Sequence, residues 1–395
     1  MTGKKVSGDP LEAAEDYRRQ RQSADARRSG FESLGKEGYF EWASMNGERL
    51  LEIAQKNGIS SQDAQRSVDE YLGLLRESPV AGEFDDPNAY FLLSQIVRDI
   101  EDACGSKNIP TRDGVVFGVS PKMGVQAQQM PVLETEASII SVTIPFLPFC
   151  NEVSKLVACS LPHIPENERF KVVNDPTSVR ERIKGYASIK ARWSEFISNY
   201  AITGWLPDQQ FNIELGHALP TRILLLRSLE VFAVAHEYGH HVFAHGTKSS
   251  SSGDQCHAEE YEADLFARAV SISVGLNDDP INFYAISGVG GVLILGALTL
   301  VERAKAMLSK GSDEIPKSET HPSLQERVKR IALLDEVAPQ DYRAAFADAR
   351  RCFSEIIDII WAEIVDDIYS LHVEGFRPQN DSKEHGGWLP LYYEE

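Results

Sequence analysis

The sequence predicts an α+β protein, predominantly α, with a small sheet beside one long central helix. Three observations lead there. Apolar residues recur at helical spacing through most of the chain, as in Ile356, Ile357, Ile359, Ile360, Ile364 and Ile368. Alternating, β-branched texture is confined to Asp113–Ile144. Val231 to Gly246, VFAVAHEYGHHVFAHG, reads as an uninterrupted apolar helix studded with histidines.

Taken in order, residues 1 to about 30 are polar and charge-rich, which suggests a solvated or partly helical tail. Amphipathic helices follow near Tyr39–Lys56, ended by Asn57-Gly58, and near Ser61–Arg76. Their spacing has the look of a helix-turn-helix, but no basic recognition face accompanies it, so a plain helical hairpin is expected. Asp86-Pro87 opens a helix to about Cys104, with Gly105 after its end. Val115–Val119, a Gly/Gln-containing middle around Gly124–Met130 and Ser138–Ile144 read as two or three strands with turns between them. Beside the central helix, such a sheet offers either an edge on which an extended peptide can pair or a purely structural layer.

Helices return at Phe149–Cys159 and Val179–Tyr200, and a short β-like piece, Phe211–Leu215, precedes Pro220, which opens the central helix. Gly246 is its expected C-cap. A second helix begins near Gln255. Ile281–Val301 then carries no charge and is long enough to cross a membrane. Its glycines (Gly288, Gly290, Gly291, Gly296) favour a buried helix instead, and a membrane-associated role through 281–301 stands as the alternative. A polar linker leads to Thr320-His321-Pro322, a helix through Leu334, a long helix from Gln340 to about Tyr369 and an irregular tail from Phe376. The expected organisation is a helical region over 1–105, a core over 106–335 and a C-terminal helix and tail over 336–395.

Composition narrows the partners. A chain of 395 residues, 42% hydrophobic, can bury a substantial core. Its formal charge of -19 argues against nucleic acid, which needs a basic patch. Cys104, Cys150, Cys159, Cys256 and Cys352 show no C-x-x-C spacing, and the N-terminus has no apolar stretch after its lysines. A cytoplasmic protein is therefore expected.

His236, Glu237 and His240 form H-E-x-x-H. Histidines four apart share a helix face, so both imidazoles can converge on one ion, with Glu237 next to that face, near where a metal-bound water would stand. A zinc ion (Zn2+) in such a site acidifies a water and polarises a carbonyl, the chemistry of a metallopeptidase acting on a protein or peptide. A buried helix with hydrogen-bonded histidines explains the five residues alone equally well.

A catalytic zinc takes three protein ligands. The class with a third histidine six residues beyond the second is excluded, because Gly246 stands there and Phe243 occupies its glycine position. On an unbroken helix His241 is rotated about 100° and His245 about 140° from His240, which removes both as ligands. A carboxylate from the next helix remains, and Glu260-Tyr261-Glu262-Ala263-Asp264 supplies it, with Glu259, Glu260 and Glu262 all within reach. Glu260 and Asp264 stand one turn apart, so a ligand can be accompanied by an aspartate that receives an imidazole N–H. Ala263 is small enough to let the two helices approach.

With HEYGH, EYEAD and Thr320-His321-Pro322 followed by Arg327, the chain resembles the gluzincin metallopeptidases, in particular the branch of CAAX prenyl endopeptidases and HtpX-type proteases. The resemblance covers Val231–Arg327. It implies a zincin-like core with His236, His240 and Glu260 as zinc ligands, Glu237 as catalytic base, Asp264 behind the ligands and His321 at the site. Lacking several membrane helices, the chain also looks like soluble bacterial peptidases of the Lit-like or ImmA/IrrE-like groups. His321, Tyr284 and His217 are candidates for stabilising the oxyanion, and Cys256-His257 is a weaker alternative metal pair.

Overall fold

The computed structural model describes residues 9–33, 35–56, 59–77, 82–166, 169–206, 215–246, 253–318 and 321–378. The fold is α+β and predominantly helical, as expected. In chain order the helices and strands are α1 (Pro10–Ser29), α2 (Gly35–Met45), α3 (Gly47–Lys56), α4 (Ser61–Glu77), α5 (Pro87–Lys107), β1 (Val115–Ser120), β2 (Ala127–Pro131) and β3 (Ser138–Thr143). They continue with α6 (Phe146–Ser160), β4 (His163–Glu166), β5 (Arg169–Val172), α7 (Pro176–Gly185), α8 (Ala187–Thr203), α9 (Leu219–Val242) and α10 (Gly253–Asn277). The last are α11 (Phe283–Ser287), α12 (Val289–Lys310), α13 (Leu324–Ile331) and α14 (Gln340–Val373).

The sheet runs in the order β1-β3-β2, with β1 parallel and β2 antiparallel to β3. Alternation splits β3 between two faces. Ile140 and Val142 join the main core, which runs from Leu93 to Ile368, whereas Ile139 packs against α1. β2 forms the edge nearest α9.

The expected polar tail is instead α1, capped by Asp9 and by left-handed Gly30 and laid across the sheet. Charge patterning hides this role because the buried face mixes polar Arg18, Gln22 and Asp25 with small alanines and Tyr17. Arg18 grips Asp85 through two hydrogen bonds of 2.9 Å, and Gln22 donates to Asp85 at 2.8 Å and to the Val119 carbonyl at 2.6 Å.

Several boundaries move. The helix expected at Tyr39–Lys56 is broken at Asn46 into α2 and α3. α5 runs through Gly105 and stops where Asn108 turns left-handed at φ 52°. Val179–Tyr200 is two helices, split at Tyr186, and the β4–β5 hairpin was not foreseen. The β-like reading of 211–214, the Asn57-Gly58 stop, Thr320 and most of the tail lie outside the described residues.

Ile281–Val301 is not one span. Asn282 caps α11, Gly288 turns left-handed at φ 82°, and α12 starts afresh. Among the described residues no helix is long and apolar enough to cross a membrane. The glycines of α12 meet protein: a Cβ on Gly290 would stand 2.3 Å from the Ser228 carbonyl oxygen of α9, and one on Gly291 2.6 Å from the Phe232 ring. On the next turn, one on Gly296 would meet Ile357 of α14 at 2.8 Å. Apolarity here reflects burial between helices.

α9 is thus enclosed by α6, α10, α12 and the sheet, and its few buried polar groups are exceptional. Glu230 is one. Burial raises its carboxyl to about 7, with Arg222 and Arg227 limiting the rise. A folded-state pKa above the ordinary 4.5 means stability is greatest below that value and is lost as pH rises through 7. At about 1.36 kcal/mol per pH unit the loss approaches about 3 kcal/mol. Urea denaturation at pH 5 and pH 8 should show the native chain losing more stability across that interval than Glu230→Gln, by up to this amount.

Candidate metal centre

The 3.6-residue period of α9 stacks His236 over His240, and their Nε2 atoms converge to 3.1 Å. Glu260 reaches them from α10, with Oε2 3.5 Å from His236 Nε2 and Oε1 3.5 Å from His240 Nε2. Helix proximity makes this possible. A Cβ on Gly239 would stand 3.1 Å from Ala263 Cα, so two small residues meet at the crossing.

Four ligands arranged tetrahedrally at about 2.0–2.1 Å from a zinc ion lie roughly 3.3 Å from one another. The two imidazole nitrogens stand 3.1 Å apart, and the Glu260 carboxylate offers Oε2 to one and Oε1 to the other at 3.5 Å each, close to that spacing; one donor atom from each residue lies within 4.8 Å of the others. Glu260 Oε2 is buried without a hydrogen bond, its charge met only by ion-pair contacts to Arg327 at 3.4 Å and His236 at 3.5 Å. Among the described residues this trio is the one cluster of histidine, cysteine and carboxylate side chains able to hold a metal, and Cys256-His257 forms no such group.

Behind the trio, Asp264 Oδ1 lies 3.1 Å from His236 Nδ1. In a neutral His236 that contact places the proton on Nδ1 and leaves the Nε2 lone pair toward the other donors. Arg327 of α13 clamps the same aspartate, Nε to Oδ2 at 2.8 Å and Nη2 to Oδ1 at 2.6 Å, and its Nη1 lies 3.4 Å from Glu260. Burial and Arg327 disfavour a charged His236, but the Asp264 and Glu260 carboxylates outweigh them and raise its pKa to about 9. Burial would raise the Glu260 and Asp264 carboxyls; the imidazoles and Arg327 instead hold Glu260 well below the usual carboxylate range and lower Asp264.

Glu237 faces the sheet edge. Its Oε2 accepts the Gln129 backbone N–H of β2 at 2.6 Å. The Gln129 side chain donates to Ser138 Oγ at 2.7 Å, and Ser138 meets His241 Nδ1 at 2.9 Å. His241 Nε2 is 2.9 Å from the Arg112 carbonyl. Fully buried His241 therefore ties the sheet to α9, a role that spacing could rule in only as "not a ligand".

The remaining candidates separate by position. His321 is 63% exposed with Nε2 3.8 Å from Glu260, at the rim of the trio. His217 does not belong to the site: it stacks on Phe170 just before α9 begins, about 25 Å along the helix from His236. Tyr284 is also remote, bonded to Thr221 at that same far end. Glu262 turns to His245 at 3.0 Å rather than to the trio.

The end of α9 corrects the sequence reading. The helix stops at Val242 rather than Gly246, and Ala244 takes the left-handed conformation at φ 54°. The His245 N–H bonds the His240 carbonyl and the Ala244 N–H the His241 carbonyl, the paired pattern of a Schellman turn. His245 is thereby folded back, its Nδ1 2.8 Å from His240 Nδ1. The rotation that excluded it assumed an unbroken helix; it touches a trio member without joining the trio. A left-handed alanine gives no sequence signal.

A family model described as Peptidase U49 matches residues 211–347, about a third of the chain, which supports a peptidase. The matched stretch contains the trio, Glu237, Asp264, His321 and Arg327, and it excludes the sheet. No curated protein and no solved structure matches the chain.

Removing one partner of a buried ion pair strands the other charge. Arg327→Ala should lower the unfolding free energy by about 3–5 kcal/mol in chemical denaturation, and Arg327→Lys by less. A loss below about 1 kcal/mol would show that water reaches Asp264.

Proposed function

We propose that the chain is a zinc-dependent endopeptidase that hydrolyses peptide bonds of a protein substrate, with Glu237 as general base. The observation that carries this reading is the convergence of His236, His240 and Glu260 beside a carboxylate held against a sheet edge. His236, His240 and Glu260 would hold the zinc, with Asp264 fixing the His236 ring. Zinc, when bound there, acidifies a water to a pKa near about 7 and polarises a carbonyl.

The chain's own groups supply the rest. The outer edge of β2 pairs with an extended peptide and sets the scissile carbonyl against the trio. The Gln129 N–H occupies one oxygen of Glu237 and orients the other toward the attacking water. Glu237 takes the water proton and returns it to the departing amine. His321, at the rim, donates a hydrogen bond to the carbonyl oxygen as negative charge builds on it.

Metal analysis of the purified chain with Glu237→Gln tests the reading. Stoichiometric zinc in both proteins is expected, with cleavage lowered at least about 100-fold in the variant. A native chain free of zinc after zinc-supplemented preparation would overturn it. Comparing newly formed protein N-termini in cells expressing either form identifies the substrate, since true products appear only with Glu237 intact.

A further inference from the structure

We infer that His245 and Glu262 form a relay that fixes the tautomer and orientation of His240, making both of them positioning residues for metal binding. The inference rests on the metallopeptidase reading and adds a second, separate support to the one Asp264 gives His236.

With Glu262 ionised and His245 neutral, the contacts run in one direction. His245 Nε2 lies 3.0 Å from Glu262 Oε2, and an ionised carboxylate can only accept, so that nitrogen carries the proton. A neutral imidazole has one N–H, which leaves a lone pair on His245 Nδ1. At 2.8 Å that lone pair accepts from His240 Nδ1–H. His240 Nε2 is then the unprotonated nitrogen, and it is the one that faces His236 Nε2 and Glu260.

The two imidazoles of the trio are thus held by different means. Asp264 acts on His236 directly and is wholly buried with Arg327 as its counter-charge. On His240 a second histidine stands between the ring and the carboxylate, and Glu262 is 59% exposed while His245 is 7% exposed. The relay runs from the surface to the trio, and it exists because the Schellman turn at Ala244 folds His245 back beneath His240.

Outer hydrogen-bond partners of ligating histidines are worth about 10–100-fold in metal affinity. Competition for zinc against a chromophoric chelator should show His245→Ala and Glu262→Ala weakened within that range. Glu262→Gln keeps an oxygen that accepts from His245 and should lose less than Glu262→Ala. Gln255→Ala, two turns earlier on α10, should bind as the native chain does. Loading with Co2+ gives a second readout: a misaligned His240 alters the visible absorption bands, which a change in fold stability alone does not.

Circular dichroism and melting temperature establish that each variant is folded. Should His245→Ala fail to fold, the exposed Glu262 series carries the comparison. Glu262→Ala binding zinc within about two-fold of the native chain, with an unchanged cobalt spectrum, would overturn the relay and leave the metallopeptidase reading standing. A native chain that takes up no zinc would overturn both.

Discussion

The close crossing of α9 and α10 at Gly239 and Ala263 is the constraint on which the rest depends. Any side chain on Gly239 would press on Ala263 Cα and Phe266 Cβ, both 3.1 Å from its Cβ, and separate the helices. Glu260 reaches both imidazoles only because they do not separate. The same device operates on the other flank, where Gly290 and Gly291 of α12 seat against Ser228 and Phe232. With the sheet on a third side, α9 is apolar nearly all round and carries polar groups where chemistry or a specific partner uses them.

Burial sets the electrostatics of the centre. Glu237, Glu260 and Asp264 bring three carboxylates against a single guanidinium, that of Arg327. Burial penalises charge, so the excess of negative groups calls for further positive charge close by. The carboxylates accordingly raise the His236 pKa to about 9. A divalent cation held by the same three donors would meet that demand and displace the proton, since ligation requires a neutral imidazole. The arrangement is therefore self-consistent as a cation site. It would be a poorly compensated cluster if its only purpose were to join helices.

Much of this was legible because the relevant information is local. Four-residue spacing puts His236 with His240 and Glu260 with Asp264 whatever the tertiary fold, and small Ala263 marked the crossing. The long helices and the strands β1 and β3 followed from their periods. What remained hidden depends on partners far along the chain. α1 looks like a solvated tail because its buried contacts, Arg18 and Gln22 to Asp85, are polar and span more than sixty residues. His241 offered no clue that Ser138, 103 residues earlier, would receive it. His217 and Tyr284 passed as site candidates since nothing local says which end of α9 a side chain will meet.

The end of α9 shows how a small backbone choice redistributes function among neighbouring histidines. An ideal helix through Gly246 would point His245 away from His240 by about 140°. Placing the left-handed residue at Ala244 costs about 1–2 kcal/mol relative to an ordinary helical conformation, and glycine two residues later could have avoided it. Strain of this size persists only where surrounding contacts fix it. Here the two Schellman hydrogen bonds, the imidazole pair at 2.8 Å and the Glu262 contact do so together. The four histidines of one helical run consequently take three distinct tasks. His236 and His240 join Glu260 in the trio, His241 anchors the sheet that holds Glu237, and His245 returns to His240.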